Sequence, residues 1–282
     1  MIVLVTGAAG MLGHAVLPAL QHAGHRTTAL TDLDVTRKDD VRAATLEAKP
    51  DWVCHLAAFT DVDVCESRED HAMKVNGEGA GIVAAAAAEA GAAILSMSTD
   101  YVFAGDDPRP RRENDPTGPL SAYGRSKLAG EHAVRAANPR HAIVRTAWLY
   151  GHGGKNFVDT IRARALAGGP LAVVDDQHGS PTWTRDLAGA LVRFMETGAV
   201  GTFHATNEGS CTWHEFAVEI CALAGANVTV SRLSSAGLAR PARRPAYSVL
   251  DTSRLQQVLG HALPHWRDAL ARYLAQPAPV KG

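Results

Sequence analysis

The sequence predicts a doubly wound parallel α/β sheet joined to a smaller C-terminal α/β substrate domain, and three observations carry that prediction. Ile2, Val3, Leu4 and Val5 form a short apolar run rich in β-branched residues, as a strand buried on both faces requires. A glycine turn and a helix follow at once: Gly7, Gly10 and Gly13 are spaced three apart, and Leu12, Val16, Leu17 and Leu20 repeat at helical spacing up to a stop at Gly24. Further apolar strand-like runs then alternate with helix-length segments through about residue 150, the pattern of parallel strands joined by crossover helices.

The glycine turn lets the backbone bend tightly and approach a pyrophosphate, whose charge is met by the helix N-terminus. Gly7, Gly10 and Gly13 are therefore a candidate dinucleotide cradle. The second strand, about Arg26–Leu30, ends in Thr31, Asp32, Leu33 and Asp34. A carboxylate there suits the ribose hydroxyls of NAD and a cation the 2′-phosphate of NADP. Asp32 and Asp34 argue for NAD, Arg37 and Lys38 for NADP. A helix over about Arg37–Glu47 leads to a third strand, Trp52–His55, followed by the small residues Ala57 and Ala58, which leave room for a flat ring system.

A long Ala-rich helix is expected over about Glu69–Ala90, with Asn76 either exposed or holding a backbone group. Strand four, Ala93–Met97, delivers Ser98, Thr99, Asp100 and Tyr101 to the sheet's C-terminal edge, where hydroxyls can bond a substrate oxygen. The loop Asp106–Pro119 reads as a lid or a solvated connection. Beyond it, Tyr123 and Lys127 stand four apart on a helix and so share one face. An ammonium beside a phenol favours the phenolate, bringing a group of pKa about 10 towards proton exchange near neutral pH.

The second part of the chain reads as a strand at Leu171–Val174, a helix over Trp183–Glu196 that returns to the sheet, a strand at Thr202–Ala205, a core helix over Trp213–Leu223 and a last helix over Pro264–Leu274, with a frayed tail at Gln276–Gly282. The expected division is a nucleotide-binding domain of residues 1–150 with a return segment near 184–206, and a substrate domain of 151–183 and 207–282. Arg240, Arg243 and Arg244 form the one tight cationic group of the C-terminal half. The guanidinium fork matches phosphate oxygens, so Arg243 and Arg244 are candidates to clamp a diphosphate.

Composition narrows the function. At 282 residues, with a net charge of -1 and a pI near 6.9, the chain carries no electrostatic footprint for nucleic acid or membrane, and a small-molecule ligand is expected. Its four cysteines form no C-x-x-C pair and its thirteen histidines no H-E-x-x-H spacing, so no metal site is expected and the thiols read as buried in a reducing cytoplasm. No apolar run reaches the length of a membrane span, and a soluble cytoplasmic protein is the expectation.

Taken in order, Thr-Gly-x-x-Gly-x-x-Gly from Thr6, Leu-Ala-Ala from Leu56, Ser-Thr-Asp-Tyr-Val-Phe from Ser98, Tyr-Gly-x-x-Lys-x-x-Gly-Glu from Tyr123 and Arg-Thr-x-Trp-x-Tyr from Arg145 resemble the extended short-chain dehydrogenase/reductase superfamily. Within it the pattern is most similar to the dTDP-4-dehydrorhamnose reductase family. The similarity continues through Asn156-Phe157, Asp176 to Thr182 and Ala242-Arg243-Arg244-Pro245. The resemblance implies a Rossmann-type fold and NADPH- or NADH-dependent reduction of the C4 keto group of a 4-keto-6-deoxy sugar nucleotide by a monomer or homodimer. It implies a catalytic triad of Thr99, Tyr123 and Lys127. It also implies cofactor contacts at Gly10, Met11, Leu12, Asp34, Val35, Ala58, Phe59, Thr60, Met97, Tyr123 and Lys127, and substrate contacts at Thr99, Asp100 and Trp148. Met97 departs from the pattern, since relatives often carry Tyr there. Some relatives form a Mg2+-bridged dimer, for which this sequence offers no acidic cluster. A sugar-nucleotide epimerase or dehydratase, and a non-catalytic regulatory subunit, are the alternatives the same motifs leave open.

Overall fold

The computed structural model describes residues 1–276; from residue 277 on, the expected frayed tail lies outside the described residues. The first half runs β1 (Ile2–Thr6), α1 (Met11–His22), β2 (Arg26–Leu30), α2 (Lys38–Ala48), β3 (Trp52–His55), α3 (Val62–Ser67), α4 (Glu69–Ala72), a π-helical segment (Met73–Glu78), α5 (Gly79–Glu89), β4 (Ala93–Thr99), α6 (Ala122–Ala137) and β5 (His141–Thr146). The second half adds β6 (Leu149–Tyr150), α7 (Phe157–Leu166), β7 (Leu171–Val174), β8 (His178–Gly179), β9 (Thr182–Trp183), α8 (Thr184–Thr197), β10 (Gly201–His204), β11 (Cys211–Thr212), α9 (Trp213–Leu223), β12 (Val230–Leu233), α10 (Ser253–Leu259) and α11 (Trp266–Leu274).

Six strands make one parallel sheet in the order β10-β5-β4-β3-β1-β2. The two-residue period of a strand sorts its side chains between two cores. Val3, Val5, Trp52, Cys54, Leu95 and Val144 face α1 and α8, where Val16, Leu20, Leu187 and Leu191 wait. Leu4, Val53, Ile94 and Ile143 face the other way, onto Val41, Val83, Ala84 and Val134. Both faces are covered, which is why Val3–Val5 of β1 and Trp52–Cys54 of β3 carry no polar alternation. The connection after β1 runs one way across the sheet, to β2, and the connection after β3 runs the other way, to β4. A crevice therefore opens beyond the C-terminal ends of β1 and β3, where open α/β sheets bind ligands.

The helix expected over Glu69–Ala90 runs without a break from Glu69 to Glu89, through α4, one π turn and α5, and is preceded by the short α3. The Met73–Glu78 turn is widened to π geometry around the buried Asn76, whose side chain reaches back to Phe59. The smaller core gathers Tyr150, Val158, Ile161, Leu171, Trp183, Phe216, Ile220, Trp266, Leu270 and Tyr273 beside the parallel pair β7 and β12. One stretch departs from the expected division. Leu255, Leu259 and Leu263 pack into the sheet's α1/α8 core, because α10 lies against α8 and β10; residues 253–263 thus return to the larger core. Among the described residues no helix is long and apolar enough to cross a membrane.

Candidate active site

The crevice is built from its glycines upward. Gly7 takes φ +65°, and a Cβ there would lie 2.6 Å from the Ala57 backbone nitrogen; a Cβ at Gly13 would lie 2.3 Å from the Ala8 carbonyl oxygen. The close approach of two loops thus needs glycine at both positions. Gly10 caps α1 without a side-chain bond and the first turn, from Met11 and Leu12, carries no acid. Its free amides and positive dipole end suit a pyrophosphate.

Beyond β2, Asp34 accepts from the Thr36 amide at 2.9 Å and the Thr36 hydroxyl at 2.8 Å, bonds that hold its carboxyl below the usual range, with Lys74 and Arg37 adding to the effect. Arg37 is exposed and paired with Asp40 at 2.8 Å. The side chains of the implied contacts Val35, Met97 and Leu12 are buried in the apolar cores, Val35 on one side of the sheet and Met97 and Leu12 on the other.

The loop after β3, with Ala58, Phe59 and Thr60, is tied down by Asn76. Its side chain accepts from the Phe59 amide at 2.8 Å and donates to the Phe59 carbonyl at 2.9 Å and to the Ser126 hydroxyl at 3.0 Å. Ser126 donates in turn to the Tyr123 carbonyl at 2.8 Å. Of the two roles open to Asn76, it holds a backbone group, and that group is in the expected cofactor loop. A second tie starts α6: Ser121 accepts from Gly124, while the Glu66 carboxylate accepts from the Ala122 amide at 2.8 Å, one residue before Tyr123.

Thr99, at the C-terminal end of β4, lies beside the Tyr123 phenol in the first turn of α6, and Lys127 follows one turn further along that helix. Thr99 donates to the Asp100 carboxylate at 2.9 Å and accepts from the Tyr101 amide at 3.2 Å. The Tyr123 ring meets Tyr101 edge-on, with centroids 5.7 Å apart. Burial pushes the Tyr123 phenol up, and interaction with the Thr99 hydroxyl pulls the other way. The direction is opposite to the one expected from the Tyr-Lys spacing, because burial leads and Asp100, Tyr101 and Cys65 add to it. Burial likewise pushes Lys127 down to about 8 against the pull of Glu131, Asp100 up to about 6, and His55 down to about 3 with help from Lys127.

Behind this group lies a buried ion-pair network. Glu131, one turn beyond Lys127, accepts a two-pronged bond from Arg145 at 2.7 Å and 2.7 Å, and further bonds from Arg135 at 2.8 Å and the Ser98 hydroxyl at 2.6 Å. Arg145 also donates to the Glu113 carbonyl and lies over the Phe103 ring. Glu131 and Arg145 stand in the quoted motifs, yet only their pairing across α6 and β5 reveals what they do.

A groove of about 1050 Å³ adjoins the site. Tyr101 and Arg240, Arg243 and Arg244 line it at one part, and Phe157, Trp213, Gln177 and Leu233 at others. Trp148 is held at φ +47° and stacks on Trp213 with ring centroids 3.5 Å apart; Trp213, expected as core, thus carries the implied substrate contact Trp148 on its face. Arg243 is exposed, whereas Arg244 pairs with Asp63 on α3. Sequence reasoning missed Asp63, Glu66, Lys74, His55 and Trp213. Their partners lie far along the chain, beyond the reach of any local pattern. Among the described residues no group of three or more His, Cys, Asp or Glu side chains is placed to hold a metal ion.

The chain is 48% identical over 276 residues to a dTDP-4-dehydrorhamnose reductase of Streptomyces griseus, covering 95% of this chain and 91% of the relative. It is 40% identical over 273 residues to a dTDP-4-keto-6-deoxy-D-glucose reductase of Streptomyces niveus, covering 95% of each. The crystal structure of dTDP-4-dehydrorhamnose reductase from Bacillus anthracis in complex with NADP superposes with a TM-score of 0.93 at 36% identity, over 96% of this chain and 98% of that one. The RmlD substrate binding domain pattern matches residues 1–278. By this match, and by relatives well above 30% identity along nearly its whole length, the chain belongs to the RmlD substrate binding domain family.

Proposed function

We propose that the protein reduces the C4 keto group of a 4-keto-6-deoxy sugar nucleotide with NADPH, converting dTDP-4-dehydro-L-rhamnose to dTDP-L-rhamnose. The observation that supports this reading is the Tyr123 phenol beside Thr99 at the sheet edge, with Lys127 one turn along the same helix, near a glycine cradle and an arginine-lined groove. When bound, the reduced nicotinamide supplies the hydride. Gly7, Gly10, Met11, Leu12 and Gly13 hold the pyrophosphate, Asp34 and the nearby Arg37, Lys38 and Lys74 face the adenosine ribose, and the Asn76-braced loop from Ala58 to Thr60 backs the rings. This mixed charge admits NADH beside NADPH. With substrate in place the Thr99 hydroxyl turns from Asp100 to the carbonyl oxygen, and Tyr123 donates its proton there as negative charge develops. Lys127 holds the nicotinamide ribose. Arg240 and Arg243 face the diphosphate, and the exposed sugar-nucleotide body lies along Trp148 and Trp213.

Every group named comes from one chain, so the reading holds for a monomer or a homodimer. The four cysteines are free and buried, which fits a reducing compartment, and we assign the reaction to the cytoplasm. Incubation with dTDP-4-dehydro-L-rhamnose and C4-deuterated NADPH tests the reading. One NADPH is expected to be oxidised per sugar reduced, with deuterium at C4 of the product. A cofactor that stays bound while two sugars interconvert, with no net loss of reduced nicotinamide, would mark an epimerase instead.

Lys127→Ala is expected to weaken NADPH binding as well as turnover, because it removes both a ribose contact and a charge. The pH dependence has a definite sign. With Lys127 lowered to about 8 by burial, the ammonium is present below that pH and lost above it. NADPH affinity of the parent should therefore fall as pH rises through about 8, while the Lys127→Ala protein shows no such step. Fluorescence titration across that range checks both, and an unchanged affinity in the variant removes the ribose contact from Lys127.

A further inference from the structure

One carboxylate of the larger domain gathers two of the three arginines in the loop of the smaller. Asp63, in the first turn of α3, accepts from Arg244 at 3.1 Å and 2.9 Å, one bond to each oxygen, and from the Ala242 amide at 3.3 Å; Arg240 stands 3.7 Å away. Arg244 also folds back to donate to the Ala242 carbonyl at 3.0 Å. Three of its five N–H groups are thereby committed within the protein, in the bidentate geometry that gives an arginine pair its direction. Its side chain is only 13% exposed, against 55% for Arg240. Arg243 is exposed and makes no hydrogen bond or ion pair among the described residues. The three arginines therefore do not form one uniform clamp.

Two further contacts say what the committed arginine supports. Arg244 lines the groove beside Tyr101 and acts on its phenol, and the Tyr101 ring stands edge-on against Tyr123. On the other side, α3 follows directly from the loop Ala58–Thr60, and its Glu66 fixes the start of α6. We propose that Arg244 is a positioning residue, locked by Asp63 into a strut between the two domains that sets the Tyr101–Tyr123 wall, and that Arg240 and Arg243 alone grip the diphosphate. This rests on the sugar-nucleotide reading given above.

The test compares Arg243→Ala, Arg244→Ala, Asp63→Asn, the Asp63→Asn/Arg244→Ala double variant and the charge exchange Asp63→Arg/Arg244→Asp with the parent. NADPH and dTDP are titrated calorimetrically, and steady-state turnover is measured separately. Arg243→Ala is expected to weaken dTDP by roughly tenfold, the loss of one charge-assisted contact, with kcat kept. Arg244→Ala and Asp63→Asn should keep dTDP affinity and lower kcat by roughly tenfold or more through a displaced wall. The double variant should be no worse than either single one, and the charge exchange should regain part of the lost kcat. Retained NADPH binding shows that each variant is folded, and the conservative Asp63→Asn decides should Arg244→Ala fail to fold. Arg244→Ala losing dTDP affinity with kcat kept, or losses that multiply in the double variant, would overturn the strut. A parent that binds NADPH but not dTDP would instead remove the sugar-nucleotide reading, and the strut's assigned purpose with it.

Discussion

Tyr123→Phe is expected to lower turnover by roughly 10²- to 10⁴-fold, the range for a lost general acid, while leaving NADPH affinity nearly unchanged. The substitution takes away a single oxygen. The ring keeps its neighbours, edge-on to Tyr101 and packed near Cys65, Ala122 and Phe59, so the helix start and the crevice stay in place. The sign of the phenol's shift bears on its role. Burial leads and pushes it up, so at neutral pH the phenol stands protonated, as a donor must before the step begins. An alkoxide forming at the substrate oxygen is a stronger base than a phenolate, and the proton moves downhill as charge develops. Steady-state kinetics together with cofactor titration check the prediction. Turnover within a few-fold of the parent would move the acid to another group, and Asp100, with its carboxyl pushed up to about 6, would be the next to replace.

What the sequence made legible is what repeats locally. Val3 to Val5, Trp52 to Cys54 and Ala93 to Leu95 are short apolar runs, and each became part of a buried parallel strand because burial on both faces removes the need for polar alternation. Gly7 and Gly13 were legible because only glycine fits where two backbones meet. The Tyr123–Lys127 pair was legible because a helix places residues four apart on one face. The sign of the Tyr123 shift was not, since spacing places a lysine on the same helix face but says nothing of the burial that leads the shift. The π turn at Met73–Glu78 was hidden for a related reason: one widened turn leaves the apolar pattern of Ala-rich helix intact, and only the reach of Asn76 to Phe59 marks it. Asp63 with Arg244, Trp148 with Trp213, and the return of Leu255 and Leu259 to the sheet join residues separated by tens of positions or more. Such contacts arise from the packing of whole elements and leave no periodic trace.

Glu131→Ala is expected to destabilise the fold by about 3–5 kcal/mol, the cost of leaving a buried charge without its partner, which for a chain of this size lowers Tm by roughly 6–20 °C. Arg145 is 3% exposed and Glu131 2%, so the orphaned guanidinium has little access to water. Replacing both, as Glu131→Leu/Arg145→Leu, should recover much of the loss, because the desolvation of two ions disappears together with their attraction. The pH dependence has a fixed direction. Burial alone would raise the Glu131 carboxyl, but Arg145, Ser98 and Arg135 hold it below its ordinary 4.5. A carboxyl depressed in the folded state stabilises above its unfolded value, and that share is lost as pH falls through the folded value. The parent should therefore lose Tm on acidification below about 4.5, and the double leucine variant should lack that part of the decline. Turnover should suffer in both, since Ser98 adjoins Thr99 and Glu131 lies one turn from Lys127. Thermal melts of the parent and the two variants between pH 3.5 and 7, roughly bracketing the ordinary carboxylate range, check the prediction. A Glu131→Ala protein that melts with the parent would mean that Arg145 finds its counter-charge elsewhere, and the network behind the triad would lose its assigned role.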